Sequence, residues 1–146
     1  MTLLKCENGD YFVLNNFQAL NLLQNSYTPD VRFHVYVKSG AFAGAAEMDS
    51  SVLELQQLYS ELSAMCETYT GKTTLIHNDY FINTETHIDF AFHVRGYLNI
   101  TGVIEDTRNR LTFQVKAAVG DMDDFLQQLK QEQDIRFVEI FILKER

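Results

Sequence analysis

Residues Thr86–Gln131 read THIDFAFHVRGYLNITGVIEDTRNRLTFQVKAAVGDMDDFLQQLKQ, the most regular pattern in the chain. Apolar and polar residues alternate through most of it, which predicts three strands, because successive side chains of a strand point to opposite faces. Short connections such as Glu105–Asn109 predict an antiparallel meander. After Asp121, a preferred helix N-cap, apolar residues recur at helical spacing and predict a closing helix.

Residues 2–48 predict two further strand pairs. Asn8-Gly9 lies between two apolar runs and predicts a β-hairpin, since a tight hairpin turn needs positive φ at both central positions. Val31–Lys38 alternates cleanly and predicts a half-buried strand with one wet face. Ser39-Gly40 then turns the chain into a returning strand.

The first helix has clear start and stop signals. Ser51 and Glu54 form a capping-box pattern, and apolar residues follow at helical spacing. Gly71 is placed to end the helix in the left-handed conformation. A short strand, Thr73–Ile76, follows before the three-strand stretch.

The tail, Ile135–Leu143, is apolar at almost every position and predicts a C-terminal strand. Such a strand is either buried on both faces, which we favour, or it pairs through its open edge with another chain. The second alternative would make a homodimer through residues 135–143. Together the elements predict a single α+β domain over residues 1–146, with one antiparallel sheet of about six or seven strands and two helices packed on one face.

Length and composition favour a globular protein without targeting signals. The chain has 146 residues, of which 46% are hydrophobic, with only one proline. Neither a signal peptide nor an apolar run of about 20 residues is recognisable. The two cysteines, Cys6 and Cys66, are too few for a disulfide framework and are predicted to be buried, reduced thiols. We therefore expect a cytoplasmic protein with no membrane partner.

Negative charge is concentrated in the middle of the chain. The net charge is −8, and residues 39–94 contain eight acidic residues against one base, Lys72. Such a composition argues against nucleic-acid binding, since phosphate contacts need clusters of Lys and Arg. The acidic segment either attracts a basic protein partner or only keeps the surface soluble. The candidate interface residues are Glu47, Glu54, Glu61, Asp79, Glu85 and Asp89.

No short motif predicts catalysis. Gly71-Lys72-Thr73 ends like a phosphate-binding loop, but Cys66 stands where its first glycine is required. His87, Asp89 and His93 share a strand face, yet adjacent positions on one face lie about 6–7 Å apart, and metal sites normally take a further ligand from a distant segment. We therefore predict no catalytic, cofactor-binding or metal-ligating residues. A small hydrolase that uses His87 and Asp89 is the enzymatic alternative.

A set of glycines and core residues across residues 31–131 has the spacing of a known family. It consists of Phe33, Val35, Val37, Gly40, Phe42 and Gly44, the helix from Leu55 to Leu62 that closes at Gly71, Gly96, Tyr97, Leu98, Ile100 and Gly102, Leu111, Thr112 and Phe113, and the helix with Phe125 and Leu129. This pattern resembles the WapI-type immunity proteins of bacterial polymorphic toxin systems. Residues 134–146 have no counterpart in it.

The resemblance implies a cytoplasmic, non-enzymatic protein that binds a cognate toxin domain and neutralises it, without a cofactor. Such toxins are often basic nucleases, which would suit the acidic segment of this chain. The alternative is a small ligand-binding or structural, oligomerising module of unknown partner.

Overall fold

The structure is a computed structural model that describes residues 1–20, 30–79, 83–94 and 96–145. The described residues form eight strands and two α-helices. In chain order they are β1 (Thr2–Lys5), β2 (Tyr11–Ala19), β3 (Val31–Ser39), β4 (Phe42–Ser50), α1 (Val52–Thr68), β5 (Lys72–Asp79), β6 (Thr84–Val94), β7 (Tyr97–Glu105), β8 (Arg110–Ala118) and α2 (Val119–Glu145).

The strands form two antiparallel sheets of four, in the orders β1-β2-β3-β4 and β5-β6-β7-β8. The α+β class, the antiparallel pairing and the two helices are therefore confirmed. The prediction of one sheet with six or seven strands is wrong. Helix α1 separates β4 from β5, and the chain begins a second meander there instead of extending the first.

The two halves of the chain have the same order of elements, four strands followed by a helix. The last strand of each half contacts strands of the other half's sheet. In the first half, the Asp49 N–H donates to Nδ1 of His77 at 3.4 Å, and Gly44 lies against Leu111 near the β7–β8 turn. In the second half, the Gln114 carbonyl on β8 accepts a hydrogen bond from Ser39 at 2.8 Å.

The helices are exchanged between the halves. Helix α1 follows the first sheet but contacts β5, the first strand of the second sheet. Helix α2 follows the second sheet but contacts β1 and β2. One bond of this packing joins the Leu3 N–H to the Gln128 side-chain oxygen at 2.9 Å. Each half therefore completes the other.

One hydrophobic core includes residues from both sheets and both helices. At its centre, the Phe12 ring meets the Phe90 ring edge-on with centroids 5.6 Å apart, and the Phe125 ring at 6.2 Å. All three side chains are fully buried. They join β2, β6 and α2, so the core belongs to neither half alone.

The predicted positive φ at Asn8-Gly9 and the predicted N-cap of α1 are confirmed, whereas the type of turn and the position of the C-cap differ from the prediction. Asn8 and Gly9 both have positive φ, 62° and 78°, but within a three-residue 3-10 turn. Ser51 caps α1 by accepting a hydrogen bond from the Glu54 N–H at 3.1 Å. The left-handed residue that caps the end of α1 is Tyr69, with φ 55°, and its N–H bonds the Met65 carbonyl; Gly71 also has the predicted positive φ, 103°, but lies two residues beyond the cap.

The predicted C-terminal strand is wrong, since residues 135–143 lie within α2, near its C-terminal end. Neither Gly nor Pro occurs between Asp121 and Arg146, so nothing in the sequence stops the helix. A short run of consecutive apolar residues does not distinguish strand from helix by its spacing. The same helix also begins at Val119, two residues before the predicted start.

Among the described residues, neither helix combines the length and the apolar character that a membrane crossing requires.

We expect Gly102→Ala to destabilise the protein by about 1–3 kcal/mol, as overpacking does in well-filled sites. A Cβ at Gly102 would overlap the carbonyl oxygen of His87 on the neighbouring strand, so the two backbones would have to separate. Urea unfolding followed by circular dichroism measures the change.

The matched control is Gly120→Ala. No atom lies within 4 Å of a Cβ at Gly120, which is in the first turn of α2. This variant should be as stable as the wild type or slightly more so. Equal losses in the two variants would contradict the explanation.

Candidate functional site

A groove runs between α1 and β5, the edge strand of the second sheet. Its volume is about 230 Å³. The lining residues are Glu54, Gln57, Leu58 and Glu61 from α1 and Thr73, Thr74, Leu75 and Ile76 from β5. Glu54 and Glu61 are seven residues apart, about two helical turns, so they lie on the same side of α1. That side of the helix faces β5.

Glu61 is held in an ionised form by two donors. Its carboxylate accepts hydrogen bonds from the Thr73 hydroxyl and, at 3.0 Å, from the Gln57 side-chain amide. The bond from Thr73 and then that from Gln57 lower the pKa of Glu61 below its ordinary value. The negative charge is thereby fixed at one wall of the groove.

Glu54 lies at the start of α1, where the helix dipole favours negative charge. Its carboxylate accepts a hydrogen bond from the Ser50 hydroxyl at 2.5 Å. The reciprocal bond of the predicted capping box thus goes to Ser50 rather than to the N–H of Ser51. Glu54 is exposed and keeps acceptor capacity for a partner.

A second acidic group lies on the other side of β5. Asp89 on β6 accepts a hydrogen bond from the Thr74 hydroxyl at 2.7 Å and contacts Nε2 of His87 at 3.1 Å. Lys72 lies 3.8 Å from the same carboxylate. Glu85 is 3.8 Å from the other nitrogen of the His87 ring. These residues form one row along the outer face of the second sheet.

Burial by itself would raise the pKa of Asp89. The hydrogen bonds from Thr74 and His87 outweigh that effect, aided by nearby positive charge, and the pKa lies below its ordinary value. Asp89 is therefore ionised at neutral pH, as Glu61 is.

Strand β5 connects the two acidic groups. Thr73 points to the groove and bonds Glu61, while Thr74 points to the outer face and bonds Asp89. Neighbouring residues of a strand point to opposite faces, so a single strand positions carboxylates on both of its sides. Four of the six predicted interface residues are gathered around β5 in this way: Glu54, Glu61, Glu85 and Asp89.

Of the other two predicted residues, Glu47 stands apart from this group. Glu47 lies on β4 of the first sheet, where its carboxylate is 3.3 Å from Arg32 and 3.6 Å from His34. Asp79 is the last residue of β5, and its side chain lies outside the described part of the structure. Sequence reasoning also did not identify Thr73 and Thr74, whose position on an edge strand beside an acidic helix became visible only in the fold.

A trough of about 510 Å³ covers the outer face of the second sheet. His87 and Asp89 line it together with Thr101 and Gln114. The contact between His87 and Asp89 is closer than strand spacing alone suggests, because both side chains bend toward each other. Within the described residues, no group of three or more His, Cys, Asp or Glu side chains is arranged to hold a metal ion.

The two cysteines are free and partly buried. Burial, followed by the charges of Asp10 and Asp121, raises the pKa of the Cys6 thiol to about 12. Burial and the charge of Asp123 also raise the pKa of Cys66. Both thiols are therefore protonated at neutral pH, whereas a nucleophilic cysteine needs a depressed pKa.

Comparison of the chain with family models, with curated proteins and with solved structures found no match in any of the three. The resemblance to the WapI-type immunity proteins therefore rests on the sequence pattern and stays a prediction.

We expect Thr73→Val to raise the pKa of Glu61 toward its ordinary value of 4.5, because the main donor to the charged form is lost. The stabilisation from this bond is complete above pH 4.5 and disappears as the pH falls through the lowered pKa of the folded state. Side-chain NMR titration measures the change.

Thr74→Val is the matched control, since it should raise the pKa of Asp89 and leave that of Glu61 unchanged. If each variant moved both carboxylates equally, the two acidic groups would not be held separately by β5.

We also expect both thiols to react slowly with Ellman's reagent in the native protein at pH 8 and quickly in denaturant. The raised pKa of Cys6 further predicts that the free energy of unfolding falls as the pH rises from about 9 toward 12, because only the unfolded thiol releases its proton there. Rapid native reaction at pH 8 would contradict the assignment.

Proposed function

We propose that this chain is a non-enzymatic binding protein whose basic partner docks along β5, and that the partner is a toxin domain which the chain neutralises as an immunity protein. The observation that carries the proposal is the pair of ionised acidic groups on the two sides of an edge strand. Both acidic groups belong to the segment 39–94, which contains eight acidic residues and one lysine.

An edge strand offers backbone N–H and C=O groups that an extended segment of a partner can pair with. In the described part of the sheet, β5 is hydrogen-bonded to a strand on one side only. Side chains of an added strand would alternate between the two faces, as Thr73 and Thr74 do. Basic residues of the partner could therefore reach Glu61 on one side and Asp89 on the other.

The groove also contains an apolar contact. Ile76 is 48% exposed and lines the groove beside the acidic residues. In protein interfaces, buried apolar anchors supply most of the affinity, while charge complementarity mainly raises the association rate and sets specificity. Ile76 is suited to the first role, and the carboxylates are suited to the second.

Neutralisation would follow from covering basic residues of the toxin. A toxin that acts on nucleic acid needs Lys and Arg side chains to contact phosphates. An acidic protein bound to those side chains competes directly with the substrate, so no chemistry by this chain is required.

The test needs the toxin domain, which we expect to be the variable C-terminal domain of a large secreted-repeat protein encoded by a neighbouring gene. Glu54→Lys and Glu61→Lys should each lower the association rate of the toxin domain by roughly tenfold at low salt, because steering of the encounter depends on the local potential of the surface that meets the partner. Stopped-flow measurements across a salt series give the rate and its salt dependence.

Glu67→Lys is the matched control, with the same charge change at an exposed position of α1 outside the groove lining. It should change the rate much less. An association rate that does not respond to salt, or an equal loss in Glu67→Lys, would refute the binding surface.

The trough on the second sheet favours one other function, the binding of a small ligand between His87 and Gln114. In that case, His87→Ala would abolish ligand-induced NMR shifts at Thr101 and Gln114. A hydrolase at this place would instead lose turnover in the same variant.

A further inference from the structure

The last part of α2 presents an apolar face that the described part of the fold leaves exposed. Five side chains, each 46–59% exposed, form it: Ile135, Phe137, Val138, Phe141 and Ile142. At about 100° per residue, they fall on one half of the helix circumference. We call this set the tail face.

The opposite side of the same turns is firmly packed. Arg136 donates a hydrogen bond to the Phe17 carbonyl at 2.7 Å, and Ile140 is only 8% exposed. The helix is therefore attached to the fold along its length here. Exposure of the tail face results from the direction in which these side chains point, not from a detached helix end.

Comparison of the two halves identifies this part of α2 as an extension. Helix α1 has 17 residues and α2 has 27. The Lys130 ammonium lies 5.9 Å from the Tyr59 ring, and the charge of Asp123 raises the pKa of Cys66. Cys66 comes seven residues after Tyr59, whereas Asp123 comes seven residues before Lys130, so the two helices run antiparallel. Counting seven residues back from Tyr59 and seven forward from Lys130 places Val52, the first residue of α1, opposite Phe137. Most of the tail face thus projects beyond α1.

The extension differs from the rest of the chain in charge. Residues 135–146 contain three basic and two acidic residues, in a chain with net charge −8. Two copies of an acidic chain repel each other over most approaches. Residues 135–146 lack this excess of negative charge, so two copies can approach each other there without the repulsion. The same segment offers the least electrostatic attraction to a strongly basic partner.

The area of the tail face suits a pair of copies. Five half-exposed aromatic and aliphatic side chains offer about 400–500 Å² per copy, a large patch for a monomer. A symmetric pair would bury about 1,000 Å² in total, which is near the lower limit for a specific interface. An apolar helix face is also self-complementary, as a two-fold interface requires.

We propose that a second copy of this chain covers the tail face, with the two α2 extensions packed antiparallel about a two-fold axis near Val138. The dimer is independent of the proposed toxin binding, since it rests on a different surface. From its small area we expect a dissociation constant in the range of about 1–100 μM.

Sedimentation velocity over 5–200 μM at about 0.15 M salt tests the proposal. We expect the wild type to shift from monomer to dimer with concentration, and Phe141→Ser to weaken dimerisation at least tenfold. Circular dichroism should show an unchanged fold, because the Phe141 side chain is 59% exposed. Phe42→Ser, which alters a 69% exposed phenylalanine on β4, is the matched control and should dimerise normally.

A cysteine at the proposed axis gives a second readout. Val138→Cys should form a disulfide between copies under mild oxidation, while Leu53→Cys, at a 76% exposed position of α1, should not. A wild type that stays monomeric at 200 μM overturns the proposal, as does equal weakening by Phe42→Ser. If the wild type is monomeric and Phe141→Ser abolishes toxin binding, the tail face belongs to that partner instead.

Discussion

The contact among Phe12, Phe90 and Phe125 is the interaction on which the rest of the structure depends. These three rings are fully buried and join β2, β6 and α2. Neither half of the chain can enclose such a core alone, because each helix packs against the first strand of the other sheet. Because the helices are exchanged, each half completes the core of the other, and the exchange fixes where sheet edges remain.

One consequence of this arrangement is the position of β5. The second sheet ends at β5, and α1 lies beside this edge strand with a groove between them. Thr73 and Thr74 then use the alternation of the strand to hold Glu61 and Asp89 on opposite sides. The acidity of the middle segment becomes an organised surface only because an edge strand passes through it.

The second consequence is the unequal length of the helices. In the first half, the left-handed residue Tyr69 ends α1, and the chain enters β5. In the second half, no such stop occurs, and α2 continues past the end of α1. The inner side of this extension is fastened by Arg136 and Ile140, whereas its outer side is apolar and exposed. The break in the internal symmetry therefore creates a surface that the symmetric part of the fold lacks.

Local patterns were enough to predict the strands of the second meander, the capped start of α1, the positive φ of Asn8 and Gly9, and the acidic character of the middle segment. These features depend on alternation, capping chemistry and turn conformation, which act over a few residues. Only the tertiary structure decided that the strands divide into two sheets, because whether β5 pairs with β4 or with β6 is a choice between partners that no local pattern specifies. It also decided that residues 135–143 are helical, since their consecutive apolar side chains suit a strand as well as a helix until Ile140 is packed inside and Phe141 is left outside. The pairing of Thr73 with Glu61 and of Thr74 with Asp89 likewise joins residues 12 and 15 positions apart, and no local pattern specifies contacts at that range.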